Sequence, residues 1–382
     1  MNKKLLAVAV AGVLAAPTAV LAQSSVTISG LFKISVGNYK IGGTSAARVG
    51  NTSESRMTDD SSRIVFNVVE DLGGGLQAIG QVDWRIGLDN GTDGAAGGGP
   101  TGNVHVGLRS KSWGRIFVGR QDLHYFNTEG NLPGKADLKA AAFTMLSVIQ
   151  NGNCVPGAAC GQVAIGNNSR TPNVIHYTTP DFGGFTVIGA YSFNPVAAQE
   201  ADIGAVARKG RGWNIQPNFR GSNFQIGYSY LSAKQDALAG PDQRGDRLYG
   251  SYDWGGFHVG LAWDKSKLTA AATGVQTNKR TAWSLPVEYR TGPHNIYFHY
   301  TKARDDRQTA VQDGARMTAI AYAYDLSKRT SLATTYASIR NDVGAAYNLF
   351  AVGAGSIGTG GTVGVLAGED PRLWSITLRH VF

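Results

Sequence analysis

Residues 374–382 read WSITLRHVF, and they decide the fold. Trp374, Ile376, Leu378 and Phe382 share one parity, while Ser375, Thr377 and Arg379 share the other. That is the period-two signature of a β-strand with one apolar and one polar face. A soluble sheet usually protects its last edge or follows it with polar residues. A strand that uses the final residue, Phe382, points instead to a sheet that closes on itself.

The other end carries a different pattern. MNKK places Lys3 and Lys4 ahead of an apolar run from Leu5 to Ala16, and Val20, Leu21 and Ala22 precede Gln23. This is the layout of a secretory signal peptide over residues 1–22, leaving residues 23–382 as the mature protein. An anchor helix fits less well, because Pro17 interrupts the run and the run is short for a membrane span. Removing the signal takes away two lysines and lowers the formal net charge from +9 to +7.

Composition narrows the class. Glycine occurs 51 times, helix-forming heptads are missing, and no apolar stretch near 20 residues follows the signal. An exported, large all-β chain is what remains. Its two cysteines, Cys154 and Cys160, lie in one Gly-rich stretch. In an oxidising compartment they suit a small local disulfide. Free thiols and a metal pair are the alternatives, and a metal pair lacks nearby ligands to complete four-coordination.

Working inward from the terminal strand, the same alternation recurs in segments near the ten residues that a tilted membrane-crossing strand requires. Residues 26–37 set Val26, Ile28, Phe32, Ile34 and Val36 against Thr27, Ser29, Lys33 and Ser35. Further strands are expected over 62–72 and 75–86, and NFQIGYSYL (223–231) and GFHVGLAWD (256–264) repeat the pattern. Short turns rich in Gly, Asp, Ser or Pro fall at 71–75, 110–114, 180–184, 220–223, 253–256, 291–293 and 325–330. Longer loops fall near 38–60, 88–100, 122–170, 194–210, 235–245, 267–279, 304–313 and 341–368. Seven short turns and eight long loops join sixteen strands, with both termini on the short-turn side. A transmembrane antiparallel β-barrel has this connectivity, with an aromatic-rich apolar face toward lipid and a polar face toward water inside.

Several stretches carry a family resemblance: SSVTISGLF (24–32), SSRIVFNVVEDLGGGLQAIGQVD (61–83), GLRSKSWGRIFVGRQ (107–121), TPNVIHYTTPDFGGFTVIGAYS (171–192) and the terminal LRHVF. Together they resemble the general-diffusion porins of Gram-negative outer membranes, in their β-proteobacterial branch. The resemblance implies a homotrimer of sixteen-stranded barrels, each with its own water-filled pore narrowed by the third long loop. It also implies that the barrel assembly machinery reads the terminal strand, here through Leu378 and Phe382, with His380 as a semi-aromatic substitute. Outer-membrane lipids and lipopolysaccharide would surround the barrel, and small solutes and ions would pass through it.

The third loop, roughly Asp122 to Ser169, is too long for an ordinary hairpin connection. Leu123, Tyr125, Phe126, Leu132 and Phe143 make it too apolar to lie free in water, so it is expected inside the barrel. Its acids are Asp122, Glu129 and Asp137. On the opposing wall, parity turns Lys33, Arg63 and Arg85 inward, with Arg170 entering the strand after the loop. Arg63 and Arg170 match the basic ladder of the family, whereas Asn67 departs from it. Excess positive charge in a narrow pore lowers the barrier for anions, so a modest anion preference is expected. Pairing of these arginines with Asp83 or Glu288 is the competing reading.

Other chemistry fails on context. GAGSIG (353–358) matches G-x-G-x-x-G but runs into TGGTVG within an outer loop, not between a strand and a helix. The seven histidines show no ligand spacing, and no G-x-S-x-G elbow occurs. Lysine and arginine are dispersed along the chain, unlike a nucleic-acid tract. No cofactor or metal is expected. The alternatives to simple diffusion are a substrate-selective porin with an organic-anion site at the third loop and, less well supported, a barrel enzyme or adhesin.

Overall fold

The computed structural model describes residues 24–43, 50, 52–91, 100, 102–124, 127–128, 131–133, 139–141, 170–195, 210–234, 242–270, 273–305, 311–349 and 365–382. The signal segment 1–22, Glu129, Asp137, Cys154, Cys160 and the 353–358 motif lie outside the described residues.

The first strand, β1 (Ser25–Gly42), meets the last, β17 (Asp370–Val381), antiparallel, with Leu31 opposite Val381 and Gly42 opposite Asp370. Phe382 completes the seam, accepting a hydrogen bond from the Gly30 amide at 3.0 Å and donating its own amide to the Gly30 carbonyl at 3.2 Å. The Phe382 ring lies where a Cβ on residue 30 would stand, so the seam requires glycine there. Closure leaves no strand edge exposed, the only form in which a sheet can cross lipid.

From the seam the chain winds in order through β2 (Ser53–Asp59), β3 (Arg63–Gly73), β4 (Leu76–Arg85), β5 (Val104–Ser110), β6 (Gly114–Asp122), β7 (Arg170–Thr178) and β8 (Phe185–Ser192). It continues through β9 (Arg211–Arg220), β10 (Phe224–Lys234), β11 (Asp242–Trp254), β12 (Phe257–Thr269) and β13 (Gln276–Thr291), then β14 (His294–Ala303), β15 (Ala315–Asp325) and β16 (Thr330–Asn341). β2 and β3 both pair with β1, on successive halves of it, so they form one interrupted stave. The wall therefore has sixteen staves.

At the interruption Ser61 has φ +73°, and the Asp59 carboxylate accepts the amides of Ser61 and Ser62. β2 occupies part of the stretch expected to be the first long loop, and β11, β12 and β13 likewise run further than the alternation indicates. Their loop-side ends carry polar residues on the outer face, Ser53 and Ser55 on β2 and charged side chains on β11, β12 and β13, and the apolar periodicity fades there.

All seven expected short turns join their strands, and the parity holds. The outer face is apolar, with Trp254 71% exposed and Leu261 57% exposed. The inner face carries Asp83, His176, Asn214, Gln216, Arg247 and Glu288, all buried within the barrel.

Candidate functional site: the channel constriction

The inner wall is polar on one side and nearly bare on the other. On β15 and β16 the inward positions include Ala319, Ala321, Ala323, Ala333 and Ala337, all buried. Small side chains on a lumen wall leave room for something to lie flat against it. Described residues of the third long loop fill that room, since Leu132, Ala140 and Ala141 join those alanines in one buried cluster.

The loop crosses the inner wall by a series of polar contacts. Near its start, His124 Nδ1 lies 2.8 Å from Ser229 Oγ of β10. Thr128 accepts a 2.7 Å hydrogen bond from Arg247 Nη1 of β11, and Arg247 is itself held by Asp264 of β12 at 3.3 Å. Arg280 of β13 donates to the other oxygen of Asp264 at 3.2 Å, so two buried guanidiniums share one carboxylate. Further on, Lys139 Nζ reaches Asp325 at 2.6 Å, and the Ala141 amide donates to Thr335 of β16 at 3.2 Å. Lys33 of β1 donates to the Ala140 carbonyl and pairs with Asp60 at 3.5 Å, both side chains fully buried. Burial, with the Arg247 charge beside it, holds the His124 imidazole well below the ordinary histidine range.

The described residues of the loop lie against β10–β16 and β1, and the inner wall that they leave uncovered is that of β3–β7. There Arg63 of β3 stands directly opposite Arg85 of β4. Arg85 pairs with Asp83 at 2.8 Å. Arg170 Nε lies 3.8 Å from Asp122, whose carboxylate also accepts a hydrogen bond from Asn103 at 2.9 Å. Toward the short-turn end, Phe117 is stacked between His105 and His176, with ring centroids at 4.2 and 4.4 Å. Arg115 lies 5.2 Å above the Phe117 ring, and Arg109 donates twice to the neutral Gln77. Beneath the loop a cavity of about 660 Å³ opens between Lys139, Arg220, Arg290 and Asp325, continuing the water path toward the short turns.

This geometry has close counterparts. The family model for Gram-negative porins matches residues 7–345. The chain belongs to the Gram-negative porin family. It is 30% identical to outer membrane porin protein 32 of Delftia acidovorans over the full length of both. It is 27% identical to an outer membrane porin of Bordetella pertussis, over 87% of this chain and 92% of that one. Among solved structures, the anion-selective porin from Comamonas acidovorans superimposes with a TM-score of 0.75 at 22% identity, covering 94% of this chain and all of that one. The trimer form of OmpT from Vibrio cholerae gives a TM-score of 0.59 at 12% identity, covering 94% and 99%.

In the porin, Arg63, Arg85, Arg170 and Asp122 come together on one stretch of wall. Lys33 does not join them. It faces inward as parity requires, but it is sealed beneath the loop and ion-paired, so it fixes the loop and does not line the open passage. At the other end, Leu378 is exposed outward, His380 Nδ1 lies 2.9 Å from Thr330 Oγ1, and the Phe382 ring packs against Phe32 at 4.9 Å between centroids.

Sequence reasoning missed Arg247, Asp264, Arg280, Asp60 and Thr128, the groups that hold the loop. One signal for them was present: the inward A-x-A-x-A of β15, too small and apolar for a wall washed by water.

Proposed function

We propose that the porin works as an outer-membrane channel for passive diffusion of small hydrophilic solutes. We propose that residues 1–22 are removed on export and that the open pore favours anions modestly. The observation that carries the preference is the β3–β7 wall. Arg63, Arg85 and Arg170 outnumber Asp83 and Asp122 there, and Arg109 and Arg115 follow below them with neutral hydrogen-bond partners. A passing anion meets net positive charge along the whole wall. The anion-selective porin of like fold is consistent with this. The test is the reversal potential of single channels across a potassium chloride gradient; an anion-directed potential is expected, and a cation-directed one rejects the charge assignment.

We further infer a homotrimer packed through the outer faces of β1 and β3–β6. Val26, Ile28, Val68, Val106, Leu108 and Val118 make this side mainly aliphatic, with Phe32, Phe66 and Trp84 as its aromatic side chains, whereas the outer face from β8 onward is rich in Trp, Tyr and Phe. Aromatic belts mark lipid contact, and a flat aliphatic face suits protein contact. Leu378, His380 and Phe382 would be the residues read by the assembly machinery. Channel opening in groups of three, and a trimer band on unheated gels, would support the assembly.

A further inference from the structure

A glycine inside a strand gives up side-chain packing, and a buried inward one marks a place where other atoms approach the backbone closely. Gly245 of β11 and Gly260 of β12 are two such positions. A Cβ on residue 245 would stand 2.6 Å from His124 Nε2, with His124 Cδ2 and Cε1 at 3.2 and 3.4 Å. A Cβ on residue 260 would stand 2.8 Å from Pro133 Cδ and 3.1 Å from Leu132 Cδ2, with Pro286 Cγ of β13 at 3.0 Å. Among the described glycines, these two alone are closed off by atoms of the third loop. Gly37, Gly107 and Gly227, also inward, are crowded by neighbouring strands instead.

The two glycines bracket a measured length of wall. Gly260 stands directly opposite Ser251, six residues beyond Gly245 on β11. At the rise of an antiparallel strand, the two seats are about 20 Å apart. The described residues of the loop follow the same line. His124 lies over Gly245, and Thr128 takes its hydrogen bond from Arg247. The Asn131 carbonyl then accepts from Ser251 Oγ at 3.3 Å and from Gln225, and Leu132 and Pro133 lie over Gly260. These contacts pin the loop at successive heights, so it cannot slide along the wall. The direction left to it is away from the wall, into the lumen.

We propose that Gly245 and Gly260 are positioning residues that set how far the third loop stands into the lumen, and with it the largest solute the channel passes. Arg247 supplies the attraction that holds the loop down, and the two glycines supply the depth at which it stops. A methyl group at either seat has to reach ordinary carbon contact, which lifts the loop by about 1 Å. Pore diameter limits passage most steeply for solutes that nearly fill the pore. The proposal rests on the channel reading given above.

The experiment uses the full porin, refolded in detergent and reconstituted into phosphatidylcholine liposomes. Swelling rates are read for a graded sugar series from arabinose to raffinose, alongside single-channel conductance in potassium chloride. Gly245→Ala and Gly260→Ala should each slow the largest sugar that wild type admits at least about twofold relative to arabinose, with a smaller fractional loss of conductance. Gly189→Ala, outward on β8 with nothing within 4 Å of the new Cβ, should keep the wild-type ratio. Gly260→Ala/Pro133→Ala removes the loop carbon in closest contact and should recover most of the loss, which a general loss of stability would not do. An unchanged ratio in both single variants, an equal fall in Gly189→Ala, or no recovery in the double variant overturns the proposal. If Gly260→Ala does not fold, because its Cβ also meets Pro286, Gly245→Ala carries the comparison with Gly189→Ala; its nearest neighbours are all atoms of His124. Wild type with neither swelling nor conductance defeats the channel reading, whereas wild-type channels with unchanged ratios in the variants defeat only the glycine seats.

Discussion

The charge of the β3–β7 wall can be tested by its effect on a passing ion. Arg63→Gln combined with Arg170→Gln leaves Arg85 facing Asp83 and Asp122, so the stretch of wall above Arg109 and Arg115 changes from an excess of one positive charge to an excess of one negative charge. An ion about 8 Å from a unit charge in water interacts by about 0.5 kcal/mol, and 0.1 M salt screens this roughly twofold. Two lost charges then shift the anion barrier by about 0.5 kcal/mol one way and the cation barrier by as much the other way. The difference, about 1 kcal/mol, is roughly fivefold in permeability ratio, and each single variant should give about twofold. Reversal potentials across a potassium chloride gradient read this ratio directly. The shift should grow as the mean salt concentration falls. An unchanged potential in the double variant, with conductance retained, would mean that ions do not travel along this wall.

The loop attachments carry their own expectations. Arg247→Leu removes a charge-assisted hydrogen bond to Thr128 worth about 1.5–3 kcal/mol, while Asp264 keeps Arg280, so released loop should become about ten- to a hundredfold more populated and single-channel current noisier. Quiet channels in that variant would place the anchor elsewhere. Docked His124 resists protonation, whereas in a released loop it protonates near pH 6.5. Docking is thus fully favoured above about pH 6.5 and weakens below it by up to about 1.4 kcal/mol per pH unit; closures should multiply on acidification, and His124→Gln should flatten that dependence. Deleting Phe382 removes both seam hydrogen bonds to Gly30 and the ring contact with Phe32, and folded trimer recovered from outer membranes should fall severely; normal recovery would count against its role in closure and assembly.

Alternation and turn chemistry made the barrel legible because a membrane-crossing strand has to segregate its two faces, and its turns have to be tight. Legibility ended where those demands end. The loop-side halves of β2, β11, β12 and β13 stand beyond the apolar belt, so nothing in their outer faces distinguishes strand from polar loop. Parity turned Lys33 and Arg85 inward alike, yet only the path of the loop separates a sealed anchor from a pore-lining charge. Arg247, Asp264 and Arg280 lie on three consecutive strands, 17 and 16 residues apart, and their shared carboxylate is a product of register. The alanines of β15 and β16 were visible in sequence, and their meaning follows once an inner wall is asked why so many of its side chains are small and apolar.

The loop also links the inside of the barrel to its outside. Its described residues rest on β10–β16 and β1, so the passage is pushed toward β3–β7, whose outer faces carry fewer aromatic side chains than those from β8 onward. In a trimer joined through those faces, three arginine walls would lie nearest the common axis. Each lumen is still separated from the next by two sheets, a span of about 20 Å or more, which is about two Debye lengths at 0.1 M salt. The three pores should therefore select ions independently at that salt, with the same reversal potential whether one, two or three are open. At 0.01 M the Debye length is about 30 Å and the walls reinforce one another, so selectivity measured with all three open should exceed that with one open. Identical values at both salt concentrations would mean that the passages lie away from the axis and that the aliphatic face is not the trimer contact.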